Sequence, residues 1–242
     1  MTGAEWESYM SNTARISTLD GAGTFDCYLS RPDGEARAAI VVIQEIFGVN
    51  AGIRRKCDRL AEAGYLALAP DLFWRLGPGT DLDPDVDGEF KAALELMGRF
   101  DQDKGVEDIE ATIRHARNAL SCTKVGVVGY CLGGRLAYMT AARTDADASV
   151  GYYAVGIDSL LREKHAIAKP LMLHIPTADG FVPPEVQAQM HEGLDDHPRV
   201  TLYDYEGLDH GFATEMGNRR NDAGADLADS RTMAFFAEHL GA

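Results

Sequence analysis

KVGVVGYCLGG, residues 124–134, is the stretch on which the fold reading turns. Lys124–Val128 is dense in valine, the pattern of a short strand buried on both faces. A helix is predicted to follow from about Arg135 to Ala142. Between them, Gly129-Tyr130-Cys131-Leu132-Gly133 has the form glycine-x-nucleophile-x-glycine, with cysteine in the central place. A tight strand-to-helix turn strains its central residue, and glycines on either side relieve the crowding. Such a turn lifts Cys131 above the sheet at a helix N-terminus, where free amides receive oxyanion charge and favour a thiolate. The plainer reading is a buried cysteine in a glycine-rich turn. Neither a Walker A loop nor a G-x-G-x-x-G fingerprint fits this spacing.

Outward from this turn, strands and helices alternate. Thr13–Leu19 and Thr24–Ser30, separated by DGAG, read as an antiparallel hairpin. Ala38–Ile43 is a β-branched buried strand, Ile53–Ala63 a helix ending at Gly64, and Tyr65–Ala69 a further strand. Residues 71–88 form a Pro-, Gly- and Asp-rich excursion without periodicity, long enough to suggest function. Helices are predicted at Glu89–Arg99, Val106–Leu120, Pro184–Leu194 and Ala223–Leu240. Strands are predicted at Ser149–Ala154, Pro170–Ile175 and Val200–Tyr203. This alternation is that of an α/β domain, residues 1–242, in which helices cover both faces of a mostly parallel sheet.

Composition narrows the partners. The chain has 242 residues with 38 acidic against 23 basic side chains, a formal net charge of −15. That balance argues against a surface gripping nucleic acid or an anionic membrane, since both need clustered Lys and Arg. The first thirty residues lack the basic start and apolar run of a signal peptide, and no spanning segment is present, so the cytoplasm is the expected location. Cys27, Cys57, Cys122 and Cys131 lack metal-ligand spacing and read as free thiols. No metal site is expected from the histidines either, because none forms an HExxH pair. The pattern does not fix the oligomeric state; a monomer is the default.

A free thiol titrates near about 8.5 and needs a partner to attack efficiently at neutral pH. In elbow-type sheets the acid and then the histidine follow the nucleophile along the chain. His210, in GLDHGF, leaves the last predicted strand at the sheet's carboxyl edge, where the elbow also opens. Asp179, in HIPTADGFVPP, leaves the preceding strand and is placed to fix the imidazole tautomer. Asp209 and Asp204 are weaker alternatives. His174, inside PLMLHIP, reads as a satisfied strand histidine, and the remaining histidines as surface residues. Glu45 is an unexpected carboxylate where the first buried strand ends. It would modulate the Cys131 proton, while the amides of Ile46 and Leu132 form an oxyanion hole. Arg75, in the excursion, suits a substrate carboxylate if that loop overhangs the site. Phe47, Trp74, Phe181 and Phe212, with Phe73, are candidate walls of an apolar pocket.

QEIFGVN (44–50), FWRLGPGTDLDP (73–84), GYCLGG (129–134), ADGFVP (178–183) and DHGFA (209–213) together resemble the dienelactone hydrolase, or carboxymethylenebutenolidase, family over almost the whole chain. The resemblance implies an α/β-hydrolase fold without a cofactor, and opening of a carboxylate-bearing enol-lactone to maleylacetate. It implies Cys131 as nucleophile, Asp179 and His210 as the rest of a triad, and Glu45 as the carboxylate that helps generate the thiolate. It implies Arg75 as one of two arginines that bind the substrate carboxylate. The second is expected four residues after the histidine, where this sequence has Thr214, with Arg219 and Arg220 further along the loop. The alternatives are a hydrolase of a neutral lactone or ester, a thiol peptidase, and a non-catalytic binding protein that keeps the fold.

Overall fold

Along Ala39–Ile43 (β3), alternate side chains enter two different cores. Ala39, Val41 and Ile43 pack in one, and Ile40 and Val42 in the other. A strand with apolar residues at every position is stable only when both faces are covered, and this one is. The computed structural model describes residues 12–36 and 38–241. The elements that join β3 are β1 (Thr13–Ser17), β2 (Thr24–Ser30), α1 (Ala51–Glu62), β4 (Leu66–Pro70), α2 (Asp87–Arg99) and α3 (Gln102–Asn118). Then come β5 (Val125–Tyr130), α4 (Leu132–Arg143), β6 (Ala148–Tyr152), a 3₁₀ segment (Ile157–Ala166), β7 (Leu171–Pro176), α5 (Pro184–Leu194), β8 (Val200–Tyr205) and α6 (Asp222–Leu240).

The strands form one sheet in the order β1-β2-β4-β3-β5-β6-β7-β8. β1 pairs antiparallel with β2, β2 antiparallel with β4, and every other pairing is parallel. This is the expected mostly parallel sheet with an N-terminal antiparallel hairpin. Helices α1 and α6 cover one face; α3, α4 and the 3₁₀ segment cover the other. Parallel register places the carboxyl ends of β3, β5, β6, β7 and β8 side by side, and the loops leaving those ends build the site.

Several element boundaries differ from expectation by a few residues, and two of them have clear local reasons. α4 starts at Leu132, immediately after Cys131, so no linker separates the elbow from its helix. α3 starts at Gln102 because the Asp101 side chain accepts hydrogen bonds from the amides of Asp103 and Lys104, a cap hidden in a charged run. The 3₁₀ segment was not expected; it follows Gly156, whose φ of +65° turns the chain out of the β6 loop. The excursion after β4 carries no regular element before Asp87 and is pinned to the β3–α1 loop. There Gly48 bridges Asp81, and the Asn50 side chain caps α1 while donating to the Leu82 carbonyl. No helix among the described residues is long and apolar enough to cross a membrane.

Candidate active site

Cys131 has φ 57° and ψ −115°, a positive-φ conformation that costs a non-glycine residue about 1–3 kcal/mol. The flanking glycines make it attainable. A Cβ on Gly129 would lie 1.9 Å from the Gly133 carbonyl oxygen, and one on Gly133 would lie 2.5 Å from the carbonyl oxygens of Ile43 and Gln44. The elbow is therefore wedged between β3 and its own helix. The Cys131 amide donates to the Tyr152 carbonyl at 3.0 Å, which ties the turn to β6. Leu132 opens α4, where an amide has no acceptor one turn back. The Ile46 amide, on the loop after β3, also makes no backbone hydrogen bond among the described residues.

His210 and Asp179 meet at the ends of neighbouring loops. His210 Nδ1 and Asp179 Oδ2 are 2.9 Å apart, and both side chains are buried. Asp179 Oδ1 also accepts from the Phe181 amide at 2.8 Å, which locks the carboxylate's orientation. The His210 ring is held between the edges of Tyr153 and Phe181, at 5.0 and 4.8 Å between ring centroids. Burial alone would lower the His210 pKa. The Cys131 sulfur and the Asp179 carboxylate outweigh it and push the value up to about 10. The Cys131 sulfur and the Asp179 carboxylate thus both favour the protonated ring.

The competing acids serve other purposes. Asp209 accepts from the amides of Gly180 and His210, shaping the two loops that present the pair. Asp204 lies 3.1 Å from His191 on the surface. Burial raises the Glu45 pKa, against the opposing influence of His210, Tyr153, Lys56 and Arg219 in that order. Glu45 is thereby a stronger base than an ordinary carboxylate.

A pocket of about 230 Å³ opens over Cys131, His210 and Glu45. Its remaining walls are largely apolar, with Phe47, Phe90, Met97 and Met216 among them. Phe181 stands at the pocket and is 53% exposed. Of the expected aromatic walls, Phe47 and Phe181 are therefore present, whereas Phe212 and Trp74 are elsewhere. Phe212 is buried behind the histidine against Tyr153 and Tyr205. The Trp74 ring stacks on Phe25, and its indole N–H donates to Asp108. Phe90, from α2, packs 5.9 Å from Phe47 and was not anticipated. Its only signal in the sequence, an aromatic just past the excursion, is that of ordinary helix packing.

The structure does not bring Arg75 to this pocket. Its guanidinium pairs with Asp108 and Asp20 and stacks over Trp74, 4.3 Å from the ring centroid. The reason is electrostatic: the Asp108 side chain, on α3, is 1% exposed and requires a countercharge. Thr214 does line the pocket, with no charge to offer. Arg220 is tied to the Thr214 carbonyl, Glu215 and Asp222. Arg219 is different. It lines the pocket, lies 5.7 Å from the Phe181 ring centroid, and makes no ion pair within 4 Å among the described residues.

No group of His, Cys, Asp and Glu side chains suited to a metal ion occurs among the described residues. The arrangement is that of a nucleophile elbow with an acid–histidine pair and a second, half-buried carboxylate.

Known proteins share this architecture. The model of the dienelactone hydrolase family matches residues 25–240. A relative from Azospirillum brasilense is 42% identical over 220 residues, covering 90% of this chain and 95% of its own. The carboxymethylenebutenolidase of Pseudomonas putida is 39% identical over 223 residues, covering 92% and 94%. A solved structure from Klebsiella pneumoniae subsp. pneumoniae MGH 78578 matches with a TM-score of 0.79 at 26% identity, covering 93% of this chain and 98% of that one.

Proposed function

The chain belongs to the dienelactone hydrolase family, and we propose that it is a cytoplasmic enzyme opening a carboxylate-bearing enol-lactone, dienelactone to maleylacetate, through a Cys131 thioester. The observation that carries this reading is the Asp179–His210 pair, 2.9 Å apart, set against a cysteine on a positive-φ elbow. Glu45 accepts the thiol proton when substrate enters, since burial makes it more basic than a surface carboxylate. The thiolate attacks the lactone carbonyl, and the amides of Leu132 and Ile46 receive the oxyanion. The C–O bond of the ring then breaks. The departing enolate takes the imidazolium proton from His210, leaving a neutral imidazole.

Deacylation reverses the roles. Neutral His210 removes a proton from water, whose oxygen attacks the thioester carbonyl, and the C–S bond breaks to release the acid. The Cys131 thiolate recovers its proton from Glu45, so each group ends as it began. Enol-lactones suit this chemistry because an enolate leaves more readily than an alkoxide and competes with expulsion of the thiolate.

The Arg219 guanidinium, without an ion pair among the described residues, at a largely apolar pocket supports an anionic substituent on the substrate. Arg219→Gln should raise KM about tenfold or more for a carboxylated lactone, the loss of one charge-assisted contact, and leave a neutral lactone nearly unchanged. Intact-protein mass spectrometry during turnover should trap an acyl adduct on Cys131. Undiminished turnover by Cys131→Ala would sink the mechanism.

A further inference from the structure

Glu45 is approached from behind as well as from the substrate pocket. A separate cavity of about 10 Å³, the space of one water molecule, lies on its far side. Glu45, Lys56, Tyr130, Tyr153 and Glu215 contribute to its wall. Two of these side chains are unusual. Tyr153 is 1% exposed, and its hydroxyl has no hydrogen-bond partner among the described residues. It lies near enough to Glu45 to favour the ionised carboxyl, yet not in the geometry of a direct hydrogen bond. Buried hydroxyls are nearly always satisfied by protein or by water.

Lys56 is the second. It comes from α1 and is 5% exposed, where lysine is seldom found without partners. Its ammonium lies 3.2 Å from Glu215 and 3.3 Å from Asp229, and 5.1 Å from the Tyr130 ring centroid. An ammonium has three protons; one shared between the two Asp229 oxygens, at 3.3 and 3.5 Å, and one directed at Glu215 leave the third to serve the cavity. A larger cavity of about 120 Å³ also has Lys56 and Tyr130 in its wall, on the side of Arg59 and Asp229.

We propose that the small cavity binds one water molecule bridging Lys56, the Tyr153 hydroxyl and Glu45, and that Lys56 acts through it as a positioning residue for the Glu45 carboxylate. Three polar partners match what a buried water requires. The inference rests on the reading of Glu45 as the acceptor of the thiol proton. The bridge fixes one carboxylate oxygen from behind and leaves the other for the thiol. The Lys56 charge offsets part of the cost of keeping the half-buried carboxylate ionised. His210, Cys131 and Arg219 face Glu45 from the substrate pocket, with Asp85 farther along that pocket's wall; Lys56, Glu215, Tyr130 and Tyr153 face it from the cavity.

The test is the acid limb of the pH–kcat/KM profile with an activated lactone. Lys56→Met should move that limb to higher pH by about half to one unit, a three- to tenfold loss on the acid side with the plateau kept. Lys56→Arg should restore it. Glu215→Gln should move the limb the other way, because it removes a negative charge from the cavity wall and unmasks the ammonium. A purely structural role would lower the plateau in both variants and shift neither limb. Should Lys56→Met fail to fold, Tyr153→Phe reads the same bridge and should shift the limb in the same direction as Lys56→Met. A high-resolution crystal structure should show the water; a dry cavity overturns the proposal. Glu45→Gln separates the two readings. A wild-type acid limb in that variant removes Glu45 from the mechanism. Loss of the limb in Glu45→Gln, with no shift in Lys56→Met or Glu215→Gln, overturns the bridge alone.

Discussion

Two histidines of this protein are buried almost equally and behave in opposite ways. His210 is 6% exposed and His174 is 0% exposed. His210 Nδ1 faces the Asp179 carboxylate, and its pKa is raised to about 10. His174 Nδ1 faces the Tyr205 hydroxyl at 2.7 Å, and its Nε2 faces the Thr232 hydroxyl at 2.9 Å. Burial, reinforced by the positive charges of Arg231 and Lys56, pushes its pKa down to about 3. Depth alone therefore neutralises a histidine. A carboxylate and a sulfur facing the ring make it an acid–base group instead, so the sign of the partner, more than the burial, separates a catalytic histidine from a structural one.

The largest break in this comparison should come from His210→Gln. In the proposed mechanism it removes the proton donor to the leaving oxygen and the base for water, and kcat/KM should fall by about 10³–10⁴ or more with folding intact. Asp179→Asn should cost about 10²–10³, because the ring loses its orienting carboxylate but keeps its place between Tyr153 and Phe181. It should also lower the His210 pKa, readable by NMR of the ring protons. An unchanged titration in Asp179→Asn would show that the carboxylate's charge is not what raises His210.

His174 should report on stability and leave catalysis nearly alone. His174→Phe takes the imidazole partner from the Tyr205 hydroxyl, while the Thr232 hydroxyl keeps Tyr152 at 2.6 Å, and should cost about 1–3 kcal/mol in urea denaturation. The pH dependence sharpens the contrast. Unfolded histidine takes up a proton near about 6.5, whereas folded His174 stays neutral until about 3. Its contribution to stability is fully present above the unfolded value and is lost as pH falls from 6.5 toward 3. For His210 the window lies on the other side: the contribution is full below about 6.5 and is lost as pH rises toward 10. His174→Phe should flatten the acidic slope of stability against pH, and His210→Gln the alkaline one.

What was readable in the sequence follows the same division between local and distant causes. The elbow is local: Gly129 and Gly133 are required by backbone contacts that arise wherever that turn is made, so the spacing between a strand and a helix pointed to it. Asp179 and His210 were legible through chain order, because parallel strands deliver successive loops to one edge. His174 was legible as a core residue from its place inside β7. Lys56 was not, since a lysine in an amphipathic helix reads as part of the solvated face; only the fold brings Glu215 and Asp229 onto it. Tyr153 gave no signal beyond its place in the predicted strand Ser149–Ala154. The 3₁₀ segment after Gly156 was invisible for a similar reason, as its sequence lacks a clear apolar stripe.

Arg75 carries the smallest expected effect on activity and the clearest lesson about side-chain reach. The sequence placed it in a loop rich in Pro and Gly, beside two aromatics, with nothing to say which anion it meets. In the folded chain that anion is Asp108, whose side chain is 1% exposed and also accepts the Trp74 indole N–H. Removing the guanidinium leaves a carboxylate with one neutral donor in a nearly closed site. Arg75→Met should therefore lower stability by about 2 kcal/mol, less than a fully buried pair because the arginine itself is 25% exposed. Its kcat/KM should stay within about threefold of wild type for charged and neutral lactones alike, a change below 1 kcal/mol in the barrier. A loss confined to carboxylated substrates, with unchanged stability, would instead place Arg75 on the substrate and require the excursion to move when it binds. Arg219→Gln measured beside it decides between the two, since only one of these guanidinium groups is already committed to a protein carboxylate.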